Sequence, residues 1–180
     1  AYTGAAMGTF AQKTADAHNL TREDMDAFAI ESLTRAQRAI DEGRNAQEIA
    51  PVIIHTRRGE HTVSVDEQPH KANLEKIPQL RPAFAEGGTI TPANSSSISD
   101  GASALLLASE DAVASHGLKR RARIVAHGRN SLAPEDFTLA PIGAAEQVLA
   151  KAGWSASEVD LWEINEAFAA QVLAVCKQLK

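Results

Sequence analysis

Between Thr3 and His18, Met7, Phe10, Ala11 and Ala15 recur at helical spacing. The sequence predicts a helix there, with Gly8 a mild cost inside it. Asn19-Leu20 breaks the pattern, and Thr21 with Glu23 and Asp24 supplies a cap and first-turn acids for a second helix. Met25, Phe28, Ala29, Leu33, Ala36 and Ile40 then share one face, and Gly43 closes it.

Pro51 to Ile54 and Thr62 to Val65 are rich in β-branched residues and are joined through Arg57-Arg58-Gly59-Glu60. That pattern predicts a surface hairpin turned at the glycine. Asp66 to Arg81 is polar and carries Pro69 and Pro78, which reads as a docked irregular excursion.

After Gly87-Gly88 the pattern changes. Thr89 to Ser99 is dense in Thr, Ser, Asn and Pro, and Asp100-Gly101 leads into the apolar run Ala102 to Ala108. That run has strand length and ends at Ser109-Glu110-Asp111, a helix start. Arg123 to Ala126 is a second buried-strand candidate and Val159 to Ile164 a third. Pro141 to Ala152 reads as a helix with proline in its first turn and Gly153 just beyond. Asn165 to Leu179 reads as another, with Ala167, Phe168, Val172, Leu173 and Cys176 inward. This alternation predicts a layered α/β sheet in the second half, with a boundary near residue 97.

The chain has 180 residues, a formal charge of −5 and a pI near 5.7. No net positive field is available for a polyanionic backbone, so nucleic acid is not an expected partner. No apolar run reaches the roughly 20 residues that a membrane helix needs. The single cysteine excludes an intrachain disulfide and a cysteine-based zinc cluster, so a reducing, cytoplasmic setting is expected. His18, His55, His61, His70, His116 and His127 show no metal-ligand spacing, and no metal site is expected. The opening residues carry no initiator Met and no targeting segment, which suggests a start inside a longer protein.

Two stretches carry candidate chemistry. Asn165-Glu166-Ala167-Phe168 sits where a strand is expected to end and a helix to begin, where α/β sheets commonly build sites. By spacing alone Asn165 is a helix cap; functionally, its amide would hold a water or an oxyanion. Thr89 to Ala102 is either a Ser-rich turn or a small-residue surface that a ligand approaches closely. The run Lys119-Arg120-Arg121 with Arg123 reads as a solvated face.

Taken together the ordered motifs resemble the thiolase family, of the acetoacetyl-CoA or 3-ketoacyl-CoA type. They are Met7-Gly8, Arg22 to Ala29, Glu48 to Pro51, Asp66 to Pro69, Leu80 to Phe84, Gly88 to Thr91, Asn94 to Ala102, and Asn165 to Ala169. The resemblance implies a partial thiolase fold of class α/β, layered α/β/α with an inserted α+β loop domain. Residues 1–96 would be mainly that loop domain, 97–121 the end of the N-terminal half, and 122–180 the start of the C-terminal half. It also implies a CoA-dependent acyltransferase that makes or cleaves 3-ketoacyl-CoA by Claisen chemistry, with acyl-CoA as substrate, no resident cofactor, and a homo-oligomeric full-length enzyme.

The family's nucleophilic Cys, second Cys and His match no segment here, and Cys176 matches none of them. This implies a central fragment that is inactive alone; the rival reading is a non-catalytic CoA-binding or assembly module. Asn165 matches the family's asparagine that holds an oxyanion-hole water. Ser96 matches a serine that contacts the pantetheine arm of CoA, and Met7, Ala83, Phe84, Ala167 and Phe168 match positions lining that channel. Position 6 departs: related enzymes often have His before Met-Gly, and this chain has Ala6.

Overall fold

The computed structural model describes residues 4–179. Helix α1 runs Met7–Ala17 and α2 runs Arg22–Asp41. The first is shorter than the expected span, whose start at Thr3 lies outside the described residues. Thr21 caps α2 through its side chain, which accepts from the Asp24 N–H, while the Asp24 carboxylate accepts the Thr21 N–H. Two otherwise orphaned N–H groups are satisfied by this exchange. Gly43, at φ 64°, turns the chain out of the helix as expected.

Strands β1 (Val52–Thr56) and β2 (Gly59–Val63) form an antiparallel hairpin in which Val52 pairs with Val63 and Thr56 with Gly59. Gly59 adopts φ 119°, a region open to glycine and few others. All ten paired residues are exposed, so the hairpin stands on the surface. The following excursion folds as a short helix, α3 (Gln68–Lys71), and a 3-10 turn (Leu74–Gln79). Pro69 and Ile77 anchor it by burial, and Arg22 of α2 donates to the carbonyls of Ile77 and Leu80 at 3.0 Å each.

The remaining helices are α4 (Glu110–Ser115), capped by Ser109, α5 (Ala140–Ala152), ended by Gly153 at φ 70°, and α6 (Ala169–Gln178). A 3-10 turn, Pro134–Leu139, leads into α5. The core gathers Ala11 and Ala15 of α1, Met25 of α2, and Ala169, Ala170 and Ala174 of α6 with Leu20, Ile90 and Phe168. Alanines on the facing sides of α1 and α6 let the two helices approach closely. Phe168 lies at the centre, edge-on to Phe84 at 6.4 Å and to Phe137 at 6.3 Å. Each such pair adds about 0.5–1.5 kcal/mol beyond the burial itself.

Three sequence expectations are corrected. Residues 102–108, 123–126 and 159–164 carry no regular secondary structure, and none is hydrogen-bonded into a ladder; the paired strands among the described residues are β1 and β2. A strand exists only with a partner, and these apolar runs face solvent instead: Leu105 is 89% exposed, Ile124 70% and Leu161 83%. Second, the last helix begins at Ala169 rather than Asn165, because Phe168 is held extended (φ −149°) by an antiparallel bridge to Ser95. Asn165 is therefore not its cap. Third, Cys176 is exposed: the buried part of α6 ends at Val175 and its final turn projects past the core.

Candidate functional site

The site is assembled around the hydroxyl-rich segment, which a buried polar network holds in shape. Asp26 of α2 is 5% exposed and pairs with Arg22, whose Nε donates to it at 2.6 Å. The other Asp26 oxygen accepts from Asn94 Nδ2 at 3.2 Å. Asn94, itself 3% exposed, also donates to the Thr89 carbonyl and accepts the Thr91 N–H at 2.8 Å. A charge pair taken out of water is tolerable when further hydrogen bonds meet its groups, and here Arg22 also donates to the Ile77 and Leu80 carbonyls while Asp26 accepts from Asn94. Ser95 donates its hydroxyl to the Thr91 carbonyl at 2.7 Å. Much of the Ser/Thr chemistry that the sequence displays is thus spent on the turn itself.

From the other side, Gln12 of α1 clamps the same segment. Its Oε1 accepts the N–H groups of Thr89 at 2.7 Å and Ile90 at 3.2 Å. Its Nε2 donates to Thr89 Oγ1 and Asp16. Gly88 passes so near that a Cβ there would lie 2.7 Å from Gln12 Oε1.

Held in this way, the segment meets the Asn165 turn. The Ser96 N–H donates to the Ala167 carbonyl at 2.9 Å, and the Ala169 N–H to the Asn94 carbonyl at 3.0 Å. Ser96 and Asn165 are exposed, and neither side chain hydrogen-bonds to a described residue. Ser32 of α2 reaches the neighbouring Glu166 carboxylate at 2.6 Å.

Met7 is half-exposed at the start of α1, beside Gly8. The Phe84 ring is seated on Gly8, where a Cβ would come within 2.2 Å of the ring. Ala83 is exposed next to it, tied back by its N–H to the Ile90 carbonyl at 2.9 Å. Residues 81–87 line an open hollow of about 590 Å³ that includes Ala83 and Phe84 but not Asn165 or Ser96. The chain thus brings Phe84, Ser96, Ala167 and Phe168 around one edge of the core, through Phe84–Phe168 and Ser96–Ala167 contacts, with Met7 next in sequence to the Gly8 on which Phe84 sits.

Sequence reasoning missed the residues that build this edge: Gln12, Arg22, Asp26, Ser32 and Gln171. The signal present for the last is a single glutamine inside the otherwise apolar run Ala169 to Val175. Among the described residues no group of three or more His, Cys, Asp and Glu is placed to hold a metal ion, and no helix is long and apolar enough to cross a membrane.

The arrangement has close counterparts. The sequence model of the thiolase N-terminal domain matches residues 1–111 and that of the thiolase C-terminal domain residues 118–180. An acetyl-CoA acetyltransferase of Rhizobium meliloti (strain 1021) is 43% identical over 180 residues, which are 99% of this chain and 46% of that protein. The crystal structure of the Bacillus anthracis acetyl-CoA acetyltransferase superposes with a TM-score of 0.94 at 39% identity, covering 97% of this chain and 45% of the other. That of a thiolase from Ascaris suum in complex with coenzyme A gives 0.91 at 39% identity, covering 99% and 46%. The chain therefore spans less than half the length of the relatives it matches. With both domain models, a continuous match at about two residues in five and a shared backbone, the chain belongs to the thiolase family and has a partial thiolase fold.

Proposed function

We propose that the whole protein carrying this chain is a CoA-dependent acyltransferase that condenses acetyl-CoA units or cleaves 3-ketoacyl-CoA. The single observation that carries the reading is the join between the two candidate stretches, where the Ser96 N–H meets the Ala167 carbonyl two residues from Asn165. It puts an exposed hydroxyl and an exposed amide on adjoining strands of chain, as a site for a thioester with a long polar arm requires.

In this reading the Asn165 amide donates to an ordered water that donates in turn to the thioester oxygen as negative charge develops there. Such a donor acts only when aimed before the charge appears. Ser96 contacts the pantetheine arm, and Met7, Ala83, Phe84, Ala167 and Phe168 form its apolar wall. The thioester is substrate, and no resident cofactor or metal takes part. The nucleophile and the second oxyanion donor come from other parts of the enzyme, so the 180-residue chain alone lacks turnover. A homo-oligomer in a reducing cytoplasmic compartment completes the proposal.

The test is kinetic. Thiolysis of acetoacetyl-CoA by the whole enzyme is compared with that of the isolated chain and of an enzyme carrying Ser96→Trp. The reading expects turnover from the first, none from the second, and a raised KM for CoA in the third. An isolated chain that binds CoA in calorimetry, beside a whole protein without turnover, establishes a binding module instead.

A further inference from the structure

Gln171 is 6% exposed, in the first turn of α6. Its Nε2 donates to the Asn165 carbonyl oxygen at 3.4 Å, the same oxygen that accepts the Ala167 N–H at 3.0 Å. Its Oε1 is buried with no hydrogen-bond donor among the described residues. The orientation follows from chemistry: a carbonyl only accepts, so the amino end of the amide faces it and the oxygen is left inside. An orphaned buried oxygen is unfavourable, and methionine would fill the same space without one. Packing by itself therefore does not account for glutamine here.

Resting on the reading of Asn165 above, we propose that Gln171 is a positioning residue for Asn165. The turn from Asn165 to Phe168 is pinned at its far end by the Ser95–Phe168 bridge and by the Ser96 and Ala169 N–H groups. At its Asn165 end, Ser32 of α2 holds the Glu166 side chain, and the Asn165 carbonyl itself accepts from the Ala167 N–H and from Gln171. Of the two bonds to that carbonyl, the one from Gln171 comes from outside the turn, anchored in a helix whose neighbours Ala169, Ala170 and Val172 are all buried. Holding the carbonyl fixes the peptide plane behind Asn165 and narrows the arc its exposed amide sweeps. Aim matters because a misplaced group loses a large part of its effect on the barrier.

Gln171→Met in the whole enzyme keeps the length and burial and removes both polar ends. The expected result is a kcat lower by about ten-fold with an unchanged KM, in an enzyme that melts cooperatively. Placed on Asn165→Ala, the same change is expected to remove less than about two-fold more, since the group it aims is already absent. Unchanged kcat in Gln171→Met, or a full ten-fold loss on top of Asn165→Ala, overturns the proposal. Failure of the underlying reading looks different: Asn165→Ala alone then leaves kcat intact. Should the Met variant not fold, Gln171→Leu likewise offers no donor to the carbonyl, and wild-type kcat in that enzyme overturns the proposal equally.

Discussion

At the scale of single residues, Asn165 and Gly8 show how differently local sequence and tertiary contact speak. Asn165 reads as a cap by spacing, yet its side chain is exposed, and the helix begins at Ala169 with Phe168 in the capping position. If the amide orients the oxyanion water, Asn165→Ala in the whole enzyme lowers kcat by about 10²-fold and leaves KM for CoA unchanged. A change in KM alone contradicts the role. Gly8 reads as a mild flaw in a helix, whereas the structure seats the Phe84 ring against it. Gly8→Ala therefore forces the ring away in spite of alanine's better helix propensity. Overpacking of this kind costs about 1–3 kcal/mol, to be seen as a lower melting temperature. A raised melting temperature would show that Phe84 has room to move.

At the scale of elements, agreement is best where a helix or turn is specified by its own residues. The Thr21–Asp24 exchange at the start of α2, the Gly59 turn of the hairpin and the Gly153 end of α5 are all legible in the sequence, because each is settled within a few residues. Thr21→Ala removes one partner from the capping box and is expected to destabilise the protein by about 1 kcal/mol. Hydrogen exchange localises the effect: the Asp24 N–H should lose protection while α6 keeps it. Uniform loss of protection would assign the change to the whole fold instead. Agreement fails where an element depends on a distant partner. Ala102 to Ala108 has the composition of a strand, but composition does not supply the neighbouring backbone that makes one. Likewise the start of α6 is decided by Ser95, far away in sequence, which holds Phe168 extended.

For the whole molecule, the segments 102–108, 123–126 and 159–164 leave aliphatic side chains in solvent, with Leu106 at 86% and Leu161 at 83% exposed. Contiguous apolar surface and unpaired strand edges drive association. The isolated chain is expected to self-associate, with light scattering giving a mass well above 19.1 kDa that grows with concentration. A concentration-independent monomer mass contradicts this. The sequence by itself determined the helices with their own caps, the hairpin, and, through the order of its motifs, the family; each depends on nearest neighbours or on residue identity. Only the tertiary structure decided which apolar runs pair, where α6 begins, that Gln12 and Asn94 shape the hydroxyl-rich segment, and that Gln171 stands behind Asn165. Those outcomes turn on hydrogen bonds between residues distant along the chain, whose partners no local pattern specifies.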